Sequence, residues 1–386
     1  MIRAEFSQVV MVKNAAQFGL GLILWFAIGV AFAYGGVEDK FLGHKYWAGD
    51  EWRGQDALPL QATITGLAGI SVIYIVNGAI AERTQPTASL LFALVVMGFA
   101  WPVVVGWTWG GGFLSSMDPG FEDMGGVAVI HTFAGVFALV GLFFIRPRLG
   151  PAREAPELVF SNPALICIGS ILYFIHLLFL NCVYAGSILS SGKAVFNTWL
   201  SAGVCCIVVT ILGTLRDWSI ATHFVMVLRG FIGGAVLVAG VAWNMEPWAA
   251  FTFAVVGGTV LFASLWLEDY FRLDDVTKAV SVHLTMGIMG TFGVGLWDKS
   301  RGAFHGSDGA LLGTQLGGGL VIAFWGCAFA VAVFSFCALL RILRVPAEAE
   351  TLGLNSVGLT FKGFVVFSSH QVHPSSRPLQ PTDPTS

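Results

Sequence analysis

Two stretches of the sequence place a histidine inside an otherwise apolar run. The first is AVIHTFAGVFALVG at residues 128–141, which contains His131, and the second is VSVHLTMGIMGTFGVG at residues 280–295, which contains His283. Burial of a polar group without a hydrogen-bond partner costs free energy. A single histidine in such a run is therefore most often a packing residue whose ring nitrogens have hydrogen-bond partners within the protein. Two histidines in matching surroundings point instead to a shared functional site.

The composition is that of a protein embedded in a membrane. Of the 386 residues, 56% are hydrophobic and 11% are charged, with a mean hydropathy of +0.77, whereas soluble domains carry about 25% charged residues. The net charge of −3 argues against a nucleic-acid-binding protein. The six cysteines lie in apolar runs without CxxC spacing, so we expect no disulfide, no bound metal and no cofactor.

Ten stretches are apolar and long enough to cross a bilayer, which requires about 20 residues. They lie at residues 14–36, 60–81, 86–108, 125–145, 162–186, 194–214, 220–243, 247–268, 279–297 and 312–343. The sequence therefore predicts an all-α polytopic membrane protein with about ten transmembrane helices. We expect one transmembrane domain over residues 1–345, followed by a largely disordered cytoplasmic tail over residues 346–386.

The placement of lysine and arginine predicts that both termini face the cytoplasm. With the N-terminus inside, ten basic residues fall on the cytoplasmic side of the spans and six on the other side, as the positive-inside rule requires. The densest basic cluster, RPRLGPAR at residues 146–153, lies on the predicted cytoplasmic side.

The two histidine stretches have the form of an internal repeat. His131 is followed by Gly135 and His283 by Gly287, each at a spacing of four. Repeats of this kind build transporters whose site lies at the repeat interface. His283 lies in the fifth span after the 146–161 loop but His131 only in the fourth span of the chain, so the first half is expected to lack one helix.

Longer motifs carry a resemblance to a known family. The chain contains, in order, KNAAQFGLGLILWFAIGVAFAYG, GAIAERTQPTA, WTWGGGFLSSMDPGFEDMGGVAVIHTFAGVFALVG and FRLDDVTKAVSVHLTMGIMGTFGVGLW. Over nearly its whole length it resembles the ammonium transporter family (Amt/Mep, with the Rhesus glycoproteins as cousins), which has an inverted-repeat bundle. These segments match that family's second helix, third-to-fourth turn, fifth helix and tenth helix. Because members usually have eleven helices, the resemblance implies that the first one is missing here.

The resemblance implies a pore lined by two histidines. His131 and His283 would share a hydrogen bond and relay a proton taken from ammonium while NH3 crosses an apolar constriction. Two imidazoles can satisfy one another, one donating and one accepting, and burial disfavours the charged form. The alternatives are two packing histidines or two metal ligands.

An outer ammonium site is also implied, formed by Trp109, Asp123 and a serine. Trp109 would attract NH4+ by a cation–π interaction, and Asp123 would organise the site, or cap the following helix as an ordinary N-cap. The serine falls at Ser187, or at Val183 if no gap is allowed. Trp101 and Trp107 are expected at the membrane interface.

The sequence departs from the family at the gate. Two stacked phenylalanines usually stand above the histidines, and here the outer position holds Ala68 and the inner one Phe179. Without the outer ring we expect a wider vestibule and a weaker cation site. The tryptophan near the inner gate is replaced by His176.

Charged residues and the tail depart as well. Lys278 replaces an aspartate and is expected to pair with Asp274 on one helix face. Arg229 lies in or near a span, where it either has a functional role or extends to the interface. Asn355 replaces an acidic residue of the regulatory tail, so docking of PII-type regulators is doubtful.

The sequence thus predicts a homotrimeric ammonium transporter or NH3 channel of the plasma membrane, which is not an enzyme. The alternative is a non-conducting ammonium sensor of the same fold. A metal-dependent membrane enzyme is disfavoured, because such sites need several clustered histidines.

Overall fold

The computed structural model describes residues 2–37, 41–149, 162–216, 220–354, 360–362 and 364–366. Within these residues nine helices are long and apolar enough to cross a membrane, and an 18-residue helix, α7, completes the predicted set of about ten. The long helices are α1 Ala4–Tyr34, α2 Leu58–Ile80, α3 Pro86–Trp107, α4 Val127–Ile145, α5 Pro163–Val183, α6 Ile188–Leu215, α7 Ile220–Leu237, α8 Pro247–Tyr270, α9 Val280–Trp297 and α10 Ala310–Leu339. The prediction of a polytopic helical membrane protein is confirmed.

The apolar interior forms two main clusters, one for each half of the chain. The first is built mainly from α1–α4 and α10, and the second from α5–α9. Because α9 is the fifth span after α4, the two histidine helices run in opposite directions through the bundle. This is the arrangement expected of an inverted repeat.

Helices α4 and α9 open in the same unusual way. Each begins with a π-helical turn, Val127–Thr132 in α4 and Val280–Thr285 in α9, and then continues as a regular α-helix. His131 lies in the π-helical turn of α4, and His283 lies in the π-helical turn of α9. Single π-helical turns widen a helix locally and are frequent at functional sites.

The same two helices cross where each carries a glycine. A Cβ atom on Gly135 would lie 2.5 Å from the backbone nitrogen of Leu284, and one on Gly287 would lie 2.8 Å from that of Thr132. The His-x-x-x-Gly spacing therefore places the closest backbone approach one turn beyond each histidine.

A row of polar side chains joins α1 to its neighbours. Lys13 is 3% exposed, and its Nζ donates to the carbonyl oxygens of Ala81 at 2.6 Å and Thr84 at 2.8 Å. The Nε2 of Gln17 donates to the carbonyl oxygen of Ser89 at 2.7 Å. These bonds place the first half of α1 against the turn between α2 and α3.

Ion pairs join the two halves on the side of the bundle where α1 begins. The Nη2 of Arg148 lies 2.7 Å from Oδ1 of Asp274, and the backbone N–H of Arg148 donates to Oδ2 of Asp274 at 2.7 Å. Arg83 adds a bond of 3.2 Å to the same carboxylate. The end of α4 is thereby attached to the segment before α9.

The start of the expected tail is ordered. Residues Ala347–Leu352 form a short helix, α11, and Thr360–Lys362 pairs antiparallel with Phe364–Val366 as strands β1 and β2. The carboxylate of Glu350 is buried and accepts hydrogen bonds from Arg344 at 3.0 Å and from the backbone of Leu149 at 2.8 Å. Asn355 and residues 367–386 lie outside the described residues.

Candidate functional site

The two histidines meet in the middle of the bundle. The ring centroids of His131 and His283 are 5.1 Å apart, and the ring planes differ by 17°. His131 is 0% and His283 7% exposed. Both ring nitrogens of His131 and the Nδ1 of His283 are buried without a hydrogen-bond partner among the described residues.

The rings stack rather than bond to one another. The expected hydrogen bond between His131 and His283 is absent from the bonds of the described residues, which corrects that part of the prediction. A ring N–H donates in the plane of its own ring, and neither ring nitrogen of His131 has a partner in that direction within the part of the protein that the structure describes. The unpartnered nitrogens remain free to bond to a small polar molecule between α4 and α9.

Asp123 lies at the beginning of α4. Its carboxylate accepts the backbone N–H groups of Val127 at 2.6 Å, Ala128 at 2.8 Å and Val129 at 2.9 Å. The carboxylate therefore binds the free N–H groups at the beginning of α4 from outside the helix. The N-cap position itself is Gly126, so Asp123 is not the ordinary N-cap of its alternative interpretation. Burial raises the pKa of the Asp123 carboxyl to about 6, although the backbone bonds favour the ionised form.

Trp109 is held against Asp123. Its indole Nε1 donates to the backbone carbonyl oxygen of Asp123 at 2.6 Å. Its ring contacts Tyr184, with centroids 5.8 Å apart, and Trp101, with centroids 6.4 Å apart. The structure thus brings together two of the three predicted outer-site residues and adds Tyr184, whose position no motif indicates.

The third predicted outer-site residue has a different environment. Ser187 is exposed and begins α6, where its hydroxyl bonds to the hydroxyl of Ser190 at 2.9 Å and accepts the N–H of Ser190 at 3.1 Å. The side chain of Ser187 therefore serves as the N-cap of α6. The alternative position, Val183, is the last residue of α5.

Trp101 and Trp107 do not lie at the interface. They are 0% and 2% exposed, and their indole N–H groups donate to the carbonyl oxygens of Val129 at 3.0 Å and Phe41 at 3.1 Å. The expectation of interfacial tryptophans is wrong, because both rings have backbone partners inside the protein and need no water.

The predicted gate residues are not stacked on each other. Ala68 is buried at 1% exposure in the core of the first half, whereas Phe179 is 51% exposed. No ring contact of the described residues involves Phe179. The ring that faces His283 on α5 is instead that of Tyr173, with centroids 6.0 Å apart.

A cavity of about 670 Å³ opens beside His283. It extends toward the side where α1 begins, since Ile2, Ala81 and Thr277 line it. Polar side chains on its wall include Asn14, Ser71, Asn77, His176, Arg229 and Thr277. Sequence reasoning indicated none of these as a group, because they come from helices far apart in the chain.

Arg229 and Lys278, the two cations singled out in the sequence, are both buried. Arg229 is 7% exposed, lines the cavity and donates from Nη2 to the carbonyl oxygen of Val276 at 3.2 Å, so it does not extend to the interface. Lys278 pairs with Asp269 and lies 3.5 Å from Glu268. The predicted pair with Asp274 is wrong, because Lys278 has a φ of +57° and precedes α9 in a non-helical segment.

Within the described residues, no group of three or more His, Cys, Asp or Glu side chains is arranged to hold a metal ion. The polar groups that the site offers are two imidazoles, an indole and a buried carboxylate.

These features define an integral, multi-pass membrane protein with a polar site inside an inverted-repeat helical bundle. Residues 1–360 match the model of the Ammonium Transporter Family, and the chain belongs to that family.

Two proteins of similar sequence come from different organisms. The ammonium transporter Amt1 of Haloferax mediterranei is 26% identical, with 92% of this chain and 72% of that protein covered. Ammonium transporter 1 member 1 of Arabidopsis thaliana is 25% identical, with 100% and 84% covered.

Solved structures share the fold. A sensor Amt protein superposes with a TM-score of 0.82 at 21% identity, covering 92% of this chain and 90% of that one. Mep2 of Saccharomyces cerevisiae gives a TM-score of 0.76 at 19% identity, covering 94% and 84%.

Proposed function

We propose that the protein transports ammonium by binding NH4+ on its outer side, removing one proton and conducting NH3 past His131 and His283. The observation that carries this proposal is the pair of adjacent imidazoles whose buried nitrogens have no protein partner. A polar group left unpartnered in a dry interior costs free energy. A passing molecule that both donates and accepts hydrogen bonds, as NH3 does, offsets that cost.

The surroundings of the pair favour the neutral molecule. All residues of the turn Val127–Thr132 are buried. The idealised cost of moving an ion from water into such a medium is tens of kcal/mol, far more than the cost for neutral NH3. Transfer of the proton to the histidine pair, where NH4+ reaches the constriction, is therefore part of the proposal, and the proton leaves the pair by a route separate from that of NH3.

The outer site is proposed at Trp109 and Asp123, on the side that the lysine and arginine distribution assigns to the exterior. The Trp109 ring is half-buried, so part of its face is open to a cation. The negative charge of the neighbouring Asp123 adds long-range attraction, although its oxygens are occupied by helix N–H groups. We include Ser187 and the gate positions Ala68 and Phe179 as the positions implied by the family resemblance.

A second candidate function is ammonium sensing without conduction. Ala68 favours it, since a methyl group in place of the outer ring weakens cation binding and alters the gate. For both functions we propose a homotrimer in the plasma membrane, with residues 1–345 as the transmembrane domain.

Uptake in a yeast strain that lacks its own ammonium transporters tests the function. Growth on low ammonium is expected for the wild type and for the control Gly317→Ala, whose added Cβ meets nothing within 4 Å. Growth is expected to be lost, or ion selectivity relaxed, in His131→Ala and His283→Ala.

The two candidate functions give different results in the same strain. A wild-type protein that reaches the membrane, binds ammonium by calorimetry and supports no growth would establish the sensor instead. Growth that survives both histidine substitutions with unchanged selectivity would remove the histidine pair from the mechanism.

A further inference from the structure

A third imidazole lies on the wall of the cavity. His176 of α5 is partly exposed there, and its Nε2 is 2.8 Å from the hydroxyl oxygen of Ser71 on α2. The ring of Tyr173 neighbours two of the histidines, with its centroid 5.9 Å from that of His176 and 6.0 Å from that of His283. In the described part of the chain, the Ser71–His176 bond is the only hydrogen bond between α2 and α5.

Exposure rises along the three histidines. His131 is 0% and His283 7% exposed, whereas His176 is only partly buried and borders the open cavity. Because the cost of holding a positive charge falls with contact to water, an imidazolium is least unfavourable at His176. A proton taken up in the dry centre is therefore driven toward the cavity.

Ser71 suits a histidine that changes its charge. A hydroxyl both donates and accepts, so it can bond to Nε2 of the neutral ring in either tautomer. When the ring is protonated, Nε2–H donates to the Ser71 oxygen, whose own proton can turn toward the carbonyl oxygen of Leu67 at 3.4 Å. The bond between α2 and α5 thus persists in both states.

Other charged and titratable groups face the same space. They are Tyr74 of α2, Tyr173 of α5, Arg229 of α7 and His283 of α9. The guanidinium of Arg229 remains positive throughout the physiological range. It therefore opposes a lasting charge on His176 and favours release of the proton to cavity water.

We propose that His176 is the inner proton acceptor of the pore and that Ser71 positions it. This inference rests on the proposed transport function. NH4+ gives one proton to the His131–His283 pair and crosses as NH3; the proton passes through a bridging water to Nδ1 of His176, then leaves from Nδ1 to water in the cavity. The cavity, at about 670 Å³, has ample room for that water.

The flux of NH3 and the flux of protons can be measured separately with the purified protein in liposomes. NH3 entry is followed by the initial rate at which isotopically labelled ammonium accumulates inside the liposomes, and proton transfer by the ammonium-induced current on a solid-supported membrane. In His176→Phe the current is expected to fall by at least about tenfold, while NH3 entry stays within about twofold of the wild type. In Ser71→Ala the pH at half-maximal current is expected to move toward acid, because the protonated ring has lost its acceptor.

Ser170→Ala is the matched control, since Ser170 lines the same cavity but bonds to the carbonyl oxygen of Ile166 at 2.8 Å. It is expected to leave both fluxes and the pH profile unchanged. A current unaltered in His176→Phe overturns the inference, as does wild-type NH3 entry without any current. Absence of NH3 entry in the wild type defeats the proposed function instead. If His176→Phe does not fold, the pH profile of Ser71→Ala decides the matter.

Discussion

Arg148 and Asp274 form a two-pronged ion pair, with Nη2 2.7 Å and Nε 3.0 Å from Oδ1 of the carboxylate. Arg148 follows α4, which carries His131, and Asp274 precedes α9, which carries His283. The pair therefore fixes the two histidine helices to each other at one membrane face, outside the lipid.

Replacing Arg148 by alanine is expected to destabilise the protein by about 3–5 kcal/mol, because it leaves a buried carboxylate without its main partner. Thermal unfolding in detergent measures the loss. Lys193→Ala is the control, since Lys193 lies 3.5 Å from the half-exposed Glu246, and exposed pairs contribute about 0–1 kcal/mol. Equal losses in both variants would contradict this role for the pair.

The same ion pair predicts a loss of stability in acid. Burial alone raises the pKa of Asp274, but the hydrogen bonds and charge of Arg148, with the charge of Arg83, outweigh it and lower the pKa below the ordinary value of 3.8. A carboxyl with a lowered pKa stabilises the folded state above pH 3.8, and this contribution disappears as pH falls through the lowered value. The pH dependence of the midpoint of unfolding is expected to be shallower in Asp274→Asn; an identical slope would show that the carboxyl is unperturbed.

Gly287→Ala is expected to force α4 and α9 apart. The new methyl group would meet backbone and side-chain atoms of Thr132 at 2.6–2.8 Å, and overpacking of this kind costs about 1–3 kcal/mol. We also expect reduced ammonium uptake, since the same displacement separates the histidine rings. The control is again Gly317→Ala, which should match the wild type in both stability and uptake.

Lys278→Ala is expected to remove one of the two cations, Lys278 and Arg229, that act on the buried carboxylate of Glu268. Glu268 is 4% exposed and also accepts bonds from the backbone and hydroxyl of Ser281. The loss should be about 3–5 kcal/mol, and Glu268→Gln should recover part of it in the double variant. Additive losses in a double-mutant cycle would mean that the two side chains do not interact.

Asp123→Ala is expected to cost about 0.5–2 kcal/mol, as when a helix N-cap is removed, because the first N–H groups of α4 lose their side-chain acceptor. Asp123→Asn should cost less, because its amide oxygen still accepts from the beginning of α4. Comparison of the two unfolding midpoints checks the order. A larger loss in the asparagine variant would indicate that the negative charge, rather than the hydrogen bonds, stabilises this turn.

The helices and the histidine pair could be predicted from the sequence because both leave local signals. Apolar length identifies a span in any context, and the repeated His-x-x-x-Gly pattern identifies His131 and His283. Asp123 was predictable for the same reason, since its carboxylate binds the N–H groups of residues that follow it closely.

The remaining site residues depend on contacts between distant helices. Trp101 looks like an interfacial residue from its residue type alone, but its indole N–H donates a hydrogen bond to the carbonyl oxygen of Val129 in α4. Lys278 has Asp274 at helical spacing, yet the backbone there is not helical. The neighbour of His176 is Ser71, which lies 105 residues earlier in the chain. Because every helix is apolar, the sequence also does not show which face of a helix packs against protein and which face contacts lipid.

The buried ammonium of Lys13 has a consequence for biogenesis. An isolated α1 would carry Lys13 without a protein partner, nine residues after the helix begins at Ala4, and a charge without a partner is unfavourable in the apolar part of a bilayer. Its partners, the carbonyl oxygens of Ala81 and Thr84, are synthesised about six to seven helical turns after α2 begins at Leu58. Stable residence of α1 in lipid therefore depends on α2 having followed it, so the first two helices are best regarded as entering the membrane as a unit.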